Sequence, residues 1–118
     1  MQDTKLSQVV RSYVGAYEAG NRALAESLLA DSFTFTSPND AGIDRATYFE
    51  LCWAEDDAGR DQRIESLVVD GQQAYVTYSC TGHDGHSFRN TEVLTFHGEQ
   101  IASVNVYFGA AWPSAAAA

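Results

Sequence analysis

From Arg60 onward the chain alternates apolar and polar residues with period two, and glycine turns interrupt the alternation at Asp70-Gly71, Asp84-Gly85 and His97-Gly98. An Asp-Gly pair between alternating segments is a strong hairpin signal, because glycine accepts the positive φ that tight connections demand. Four strands in an up-and-down meander follow, near residues 60–69, 72–82, 86–97 and 100–108. A meander cannot stand alone in water, so one of its faces must be covered by something else in the chain.

Parity identifies that face. Ala74, Val76, Tyr78 and Cys80 share one side of their strand against Tyr75, Thr77, Ser79 and Thr81. Phe88, Asn90, Glu92, Leu94 and Phe96 form the more apolar set of the next strand, and Ala102, Val104, Val106 and Phe108 that of the last. Side chains of a strand alternate strictly between faces, so the choice sends Asn90 and Glu92 inward together with the aliphatic residues. An inward carboxylate is costly unless partnered, and desolvation pushes its pKa upward, which marks Glu92 as a candidate functional group. A general acid, an anchoring acceptor and one half of an ion pair with Arg11 or Arg63 are the roles open to it. Only the strand after Arg60 keeps no single parity, since Ile64, Leu67, Val68 and Val69 change sides, which implies a bulge.

The first half supplies the cover. Leu6, Val9, Val10, Tyr13, Val14 and Tyr17 recur at helical spacing on one face, with Asp3 or Thr4 able to cap the start and Gly20 to close the end. Asn21 then caps a short second helix reaching Ala30, in which Leu24 and Leu28 share a face. Phe33-Thr34-Phe35-Thr36 reads as a half-buried strand stopped by Pro38. Asp44 caps a third helix, roughly Arg45 to Ala54, with Phe49, Cys52 and Trp53 spaced along one side. Residues 54–59, AEDDAG, make a polar break. The segregation of helices and strands gives an α+β domain over residues 1–110, with 111–118 as a disordered tail from which Trp112 could fold back.

Bulk properties exclude several functions. Seven basic against sixteen acidic side chains give a net charge of −9 over 118 residues, without a basic cluster, so no nucleic-acid partner is expected. No apolar run approaches the length of a membrane span and the N-terminus lacks the order of a secretion signal, so no membrane and a cytoplasmic location are expected. Cys52 and Cys80 lack metal or redox spacing and read as buried small apolar residues, with a disulfide or nucleophile as the lesser alternative. His83 and His86 flank a turn; solvation there outweighs a metal site, which would need further ligands, and neither a metal nor a cofactor is expected.

The strings YVGAYEAGN, LLADSFTFTSP and TEVLTFHGEQIASVNVYFG, in this order of elements, resemble the nuclear-transport-factor-two-like superfamily, in its SnoaL-like and ketosteroid-isomerase-like branch. The resemblance covers nearly the whole chain and implies three N-terminal helices packed on a strongly curved, mainly antiparallel sheet, forming a cone with an internal pocket for a small apolar ligand. It also implies a homodimer through the outer sheet face, where Tyr75, Thr77, Val93, Thr95 and Tyr107 stand. Ketosteroid isomerases use an aspartate base and an oxyanion hole of a tyrosine and a protonated aspartic acid. By similarity Tyr13 matches the tyrosine and Glu92 the protonated acid, a position that parity alone had sent inward. The base position, just before the strand-ending proline, holds Ser37, whose hydroxyl needs an activator to act as a base. Asp40, three residues on, is the carboxylate available from the far side of Pro38.

The candidate site therefore comprises Tyr13, Glu92 and Asp40 as catalytic groups, with Tyr17, Phe35, Ser37, Phe49, Trp53, Asn90 and Phe108 lining the ligand. The resemblance implies a cofactor-free acid/base enzyme of isomerase, cyclase or dehydratase type acting on a carbonyl-containing small molecule. A non-catalytic binding or dimerisation module of the same fold is the alternative, and the replaced base favours it.

Overall fold

The computed structural model describes residues 2–53, 61–81 and 85–111. The AEDDAG break, His83, Asp84 and Trp112 lie outside these described residues. Three helices, α1 (Gln2–Ala19), α2 (Arg22–Leu28) and α3 (Arg45–Cys52), accompany six strands, β1 (Leu29–Ser37), β2 (Asp40–Asp44), β3 (Asp61–Asp70), β4 (Gln73–Thr81), β5 (Ser87–His97) and β6 (Gln100–Ala111).

The strands form one sheet in the order β2-β1-β6-β5-β4-β3. Only β1 and β6 run parallel; the other neighbours are antiparallel. Register breaks bend the sheet and mark where its faces change. On β3, Ile64 pairs with Tyr78 and Ser66 with Thr77, leaving Glu65 as the extra residue. The bulge implied by sequence is thus at Glu65: Gln62 and Ile64 point inward before it, Leu67 and Val69 after it.

Helix α1 buries Leu6, Val9, Val10, Tyr13, Val14 and Ala16, the stripe that its spacing required. It begins at Gln2, so Asp3 and Thr4 lie inside its first turn and not at its cap. Gly20 ends it at φ +69°, its N–H bonding to Tyr17 O at 3.2 Å while Asn21 N–H reaches Ala16 O at 2.7 Å, a left-handed cap that satisfies two terminal carbonyls. The Asn21 side chain accepts from Leu24 N–H at 3.2 Å and starts α2. Asp44 does the same for α3, accepting from Thr47 N–H at 2.9 Å, and that bond holds its carboxyl below the ordinary range.

Several expectations are corrected. Helix α2 stops at Leu28, two residues before Ala30, because Leu29 and Ala30 are already buried in β1. Leu24 does not share the packed face: it is exposed, and Ala25 takes the buried position with Leu28 half-buried beside it. Helix α3 ends at Cys52, with Trp53 as its cap. Strand β6 continues three residues past 108, to Ala111. Its inward set also differs, because a register break between Thr95 and Phe96 sets Ala102 half-buried at a bulge and Ile101 in the core.

The core lies between α1, α3 and the concave face of the sheet, centred on Phe33, Leu29, Leu94, Ile101, Val76 and Val104. Cys52 is half-buried and Cys80 buried. On the outer face Tyr75 and Tyr107 are exposed, Thr77, Val93 and Thr95 half-buried. Among the described residues no helix is long and apolar enough to cross a membrane.

Candidate active site

Where the helices stand off the bent sheet, a cavity of about 510 Å³ opens, a volume ordinary for a small-molecule site. Its buried floor is formed by Tyr13 of α1, Tyr48 of α3, Tyr78 and Cys80 of β4, and Asn90 and Glu92 of β5. At the mouth stand Asn39, Asp40, Leu51, Gln62 and Phe108, all exposed or half-buried.

Two hydrogen-bonded chains end in this floor. In the first, Trp53 Nε1–H donates to Tyr48 Oη at 3.0 Å, and Tyr48 Oη lies 2.5 Å from Tyr13 Oη. Indole can only donate, so Tyr48 Oη accepts there; between the two phenols either hydroxyl can donate to the other, and when Tyr48 donates, the Tyr13 proton is left for a ligand. Burial raises both phenol pKa values well above the ordinary value of a tyrosine, and both phenols stay protonated.

In the second, Gly109 N–H donates to Asn90 Oδ1 at 3.2 Å, Asn90 Nδ2–H to Tyr78 Oη at 3.3 Å, and Tyr78 Oη–H to Glu92 Oε2 at 2.6 Å. The three bonds run in one direction and deliver a hydrogen bond to the carboxyl. Glu92 Oε1, also buried, has no partner among the described residues. Arg11 and Arg63 are exposed, and no ion pair holds Glu92 among the described residues. Desolvation raises its pKa to about 7, the Tyr78 hydroxyl opposing part of that rise. A carboxyl half-protonated near neutrality is suited to both giving and taking a proton.

Local sequence explains these placements. Parity put Asn90, Glu92 and Tyr78 on the concave side, and the β4–β5 register sets Tyr78 opposite Asn90 and diagonal to Glu92. At the start of β5, Phe88 pairs with Ala111 and Asn90 with Phe108, so β6 bulges around Gly109. A Cβ at Gly109 would collide with the Arg89 carbonyl oxygen, so the close approach that aims the Gly109 N–H at Asn90 requires glycine.

Of the residues singled out by sequence, Tyr13, Tyr17, Phe35, Ser37, Asp40, Asn90, Glu92 and Phe108 face the cavity. Phe49 and Trp53 do not. Both are buried behind the wall, where Phe49 packs against Tyr48 while Trp53 bonds to the Tyr48 hydroxyl and packs edge-on against Tyr17. Phe108 stands at the mouth, half-covered at 52% exposure, in place of the inward core position expected from parity. Ser37 Oγ accepts from Asn39 N–H at 3.1 Å and stabilises the turn. That turn joins β1 to β2, a strand not expected from sequence, and pairing of Ser37 with Asp40 is what brings Asp40 back to the cavity.

Tyr48 and Tyr78 were missed as site residues. Parity had placed Tyr78 inside with Cys80; the signal for Tyr48, its position four residues before Cys52 on α3, was not used, and the partners of both tyrosines appear only in the folded chain.

A bent six-stranded sheet with three helices over a polar-floored cavity is the cone fold of the nuclear-transport-factor-two-like proteins. The chain belongs to the SnoaL-like domain family, whose model matches residues 10–104. It is similar in structure to a candidate ketosteroid isomerase from Kribbella flavida, at TM-score 0.82 and 18% identity over 95% of this chain and 83% of that one. An LEH-like epoxide hydrolase of M. tuberculosis superposes at TM-score 0.78 with 17% identity, covering 92% of this chain and 85% of the other. A candidate SnoaL-like polyketide cyclase from Jannaschia sp. CCS1 gives TM-score 0.72 and 13% identity, with coverages of 90% and 86%. No protein of curated function matches the sequence. At such identities the likeness is one of fold, and activity has to be argued from the cavity.

Proposed function

We propose that this SnoaL-like protein binds a small, mostly apolar carbonyl compound in the cavity and moves a proton on it by side-chain acid/base chemistry. The observation that carries the reading is Glu92: a buried carboxyl at the cavity floor, one oxygen held by Tyr78 and the other without a partner, beside the Tyr13–Tyr48 pair. Tyr13 and protonated Glu92 donate to the carbonyl oxygen. Asp40, or a water held by it, takes the proton from the adjacent carbon as the C–H pair becomes the enolate π bond, and the charge gathered on oxygen meets both donors. Return of the proton to another carbon is isomerisation. Cyclisation and dehydration would use the same donors, in keeping with the variety of names among the structural relatives.

The test is exchange of the α-hydrogens of a bicyclic ketone such as 2-tetralone in D2O, followed by NMR. Exchange above the buffer rate is expected, with Tyr13→Phe reducing it on the order of a hundredfold, the usual loss for one oxyanion donor. Asp40→Asn should reduce it as well, and a rate indifferent to both substitutions would sink the reading. A ligand-binding protein without catalysis is the second reading, and Ser37 favours it: the hydroxyl stands where related isomerases carry their base and is engaged in the β1–β2 turn.

A further inference from the structure

Strand β3 turns Gln62, Ile64, Leu67 and Val69 toward the concave face, and Gln62 is the polar member of that otherwise aliphatic set. Its side chain is half-buried and lines the cavity. Its backbone N–H donates to Glu18 Oε2 at 3.1 Å, which ties the start of β3 to the last turn of α1. The backbone that carries the amide is thus fixed before a ligand arrives, and only side-chain freedom is left to lose on binding.

Register fixes the height of this amide in the cavity. Gln62 pairs with Cys80 and Cys80 with Phe88, whereas Glu92 pairs with Val76, four residues away along β4. At a strand rise of about 3.3 Å per residue, the Gln62 rung lies about 13 Å from the Glu92 rung. Val14, Phe35 and Phe88 give the same cavity apolar surface. A ligand that runs from floor to mouth therefore meets hydrogen-bonding groups at both ends of an apolar passage. A carboxamide donates through nitrogen and accepts through oxygen, and the uncharged group that answers both roles with one atom is a hydroxyl.

We propose that Gln62 is a specificity-determining residue at the mouth of the cavity: it selects an elongated ligand whose far end carries a hydroxyl, about 10–13 Å from the group seated at the floor, that exchanges hydrogen bonds with the Gln62 side chain. The ligand class is thus a rigid, two-ended molecule, polar at each tip and apolar between. This rests on the proposed function for the ligand lying in the cavity with its carbonyl inward, but not on a reaction taking place there.

Two rods of matching span test it by NMR titration of the full chain: 4-acetylbiphenyl and 4-acetyl-4′-hydroxybiphenyl. The hydroxyl is expected to tighten binding about fivefold, the net worth of one hydrogen bond. It should also move the Gln62 side-chain NH2 resonance, which the parent ketone leaves in place. Gln62→Leu is expected to bind 4-acetylbiphenyl as the wild type does and to lose the gain from the hydroxyl. Equal affinity of the two ketones for wild type overturns the proposal, as does a gain that survives in Gln62→Leu, an unmoved Gln62 resonance or absence of binding by either ketone. A hydroxyl preference through Gln62 without exchange of 2-tetralone removes the catalytic reading and leaves the mouth contact standing; exchange without the preference does the reverse.

Discussion

Glu92 keeps its proton to about pH 7 in the folded chain, whereas the unfolded chain releases it near 4.5. Between those values the folded state holds the extra proton, so stability falls as pH rises: the contribution is complete below about 4.5 and lost by about 7. The loss is on the order of 3 kcal/mol. Glu92→Gln removes the titration, so urea unfolding of the variant is expected to show a flatter pH profile and greater stability than wild type at pH 8. An unchanged slope would place the carboxyl in water. Tyr78 is the positioning residue for this group, since its hydroxyl is the one described donor to the carboxyl. Tyr78→Phe should raise the Glu92 pKa further, by about one unit, as read from the carboxyl carbon resonance; a fall or no change would show that the hydroxyl does not hold the charged form.

At the scale of elements, the site depends on irregularities that periodicity does not announce. Gly109→Ala forces β6 away from Arg89 and is expected to cost about 1–3 kcal/mol, as overpacking does. It should also detach Asn90 and so disturb the Glu92 resonance; a variant with native stability and an unmoved resonance would refute the account of the bulge. The regular parts were legible in the sequence. The α1 stripe, the caps at Asn21 and Asp44, and the inward parity of Tyr78, Asn90 and Glu92 all follow from local spacing. The limits lie where a neighbouring strand decides. Strand β2 is five residues with Ile43 as its only large apolar side chain and Gly42 at φ +58°, too short and irregular to show a period. Ala102 carried the right parity, but a bulge set by pairing with β5 moved Ile101 into its place. Trp53 has the composition of a pocket wall; its Nε1–H turns toward Tyr48 because the end of α3 aims it there.

At the scale of the whole molecule the convex face of the sheet is the surface that bears on assembly. Tyr75 and Tyr107 are exposed there at 39% and 62%, and the Thr77 and Thr91 hydroxyls bond to each other at 2.8 Å on the same face. The homodimer that the family resemblance implies would join these faces. Sedimentation at micromolar concentration should give the mass of two chains, and Tyr107→Glu should halve it; a wild-type chain that sediments as a single copy removes the dimer. Strand order has a different consequence, for how the protein is made. Strand β6, synthesised last among the described strands, is inserted between β5 and β1, so β1 and β2 wait at the start of the chain for a partner about seventy residues downstream. The β3–β5 meander can form while the ribosome is still working. The hairpin of β1 and β2 cannot join it until the end, and during that interval its edge, like that of β5, is open to wrong neighbours.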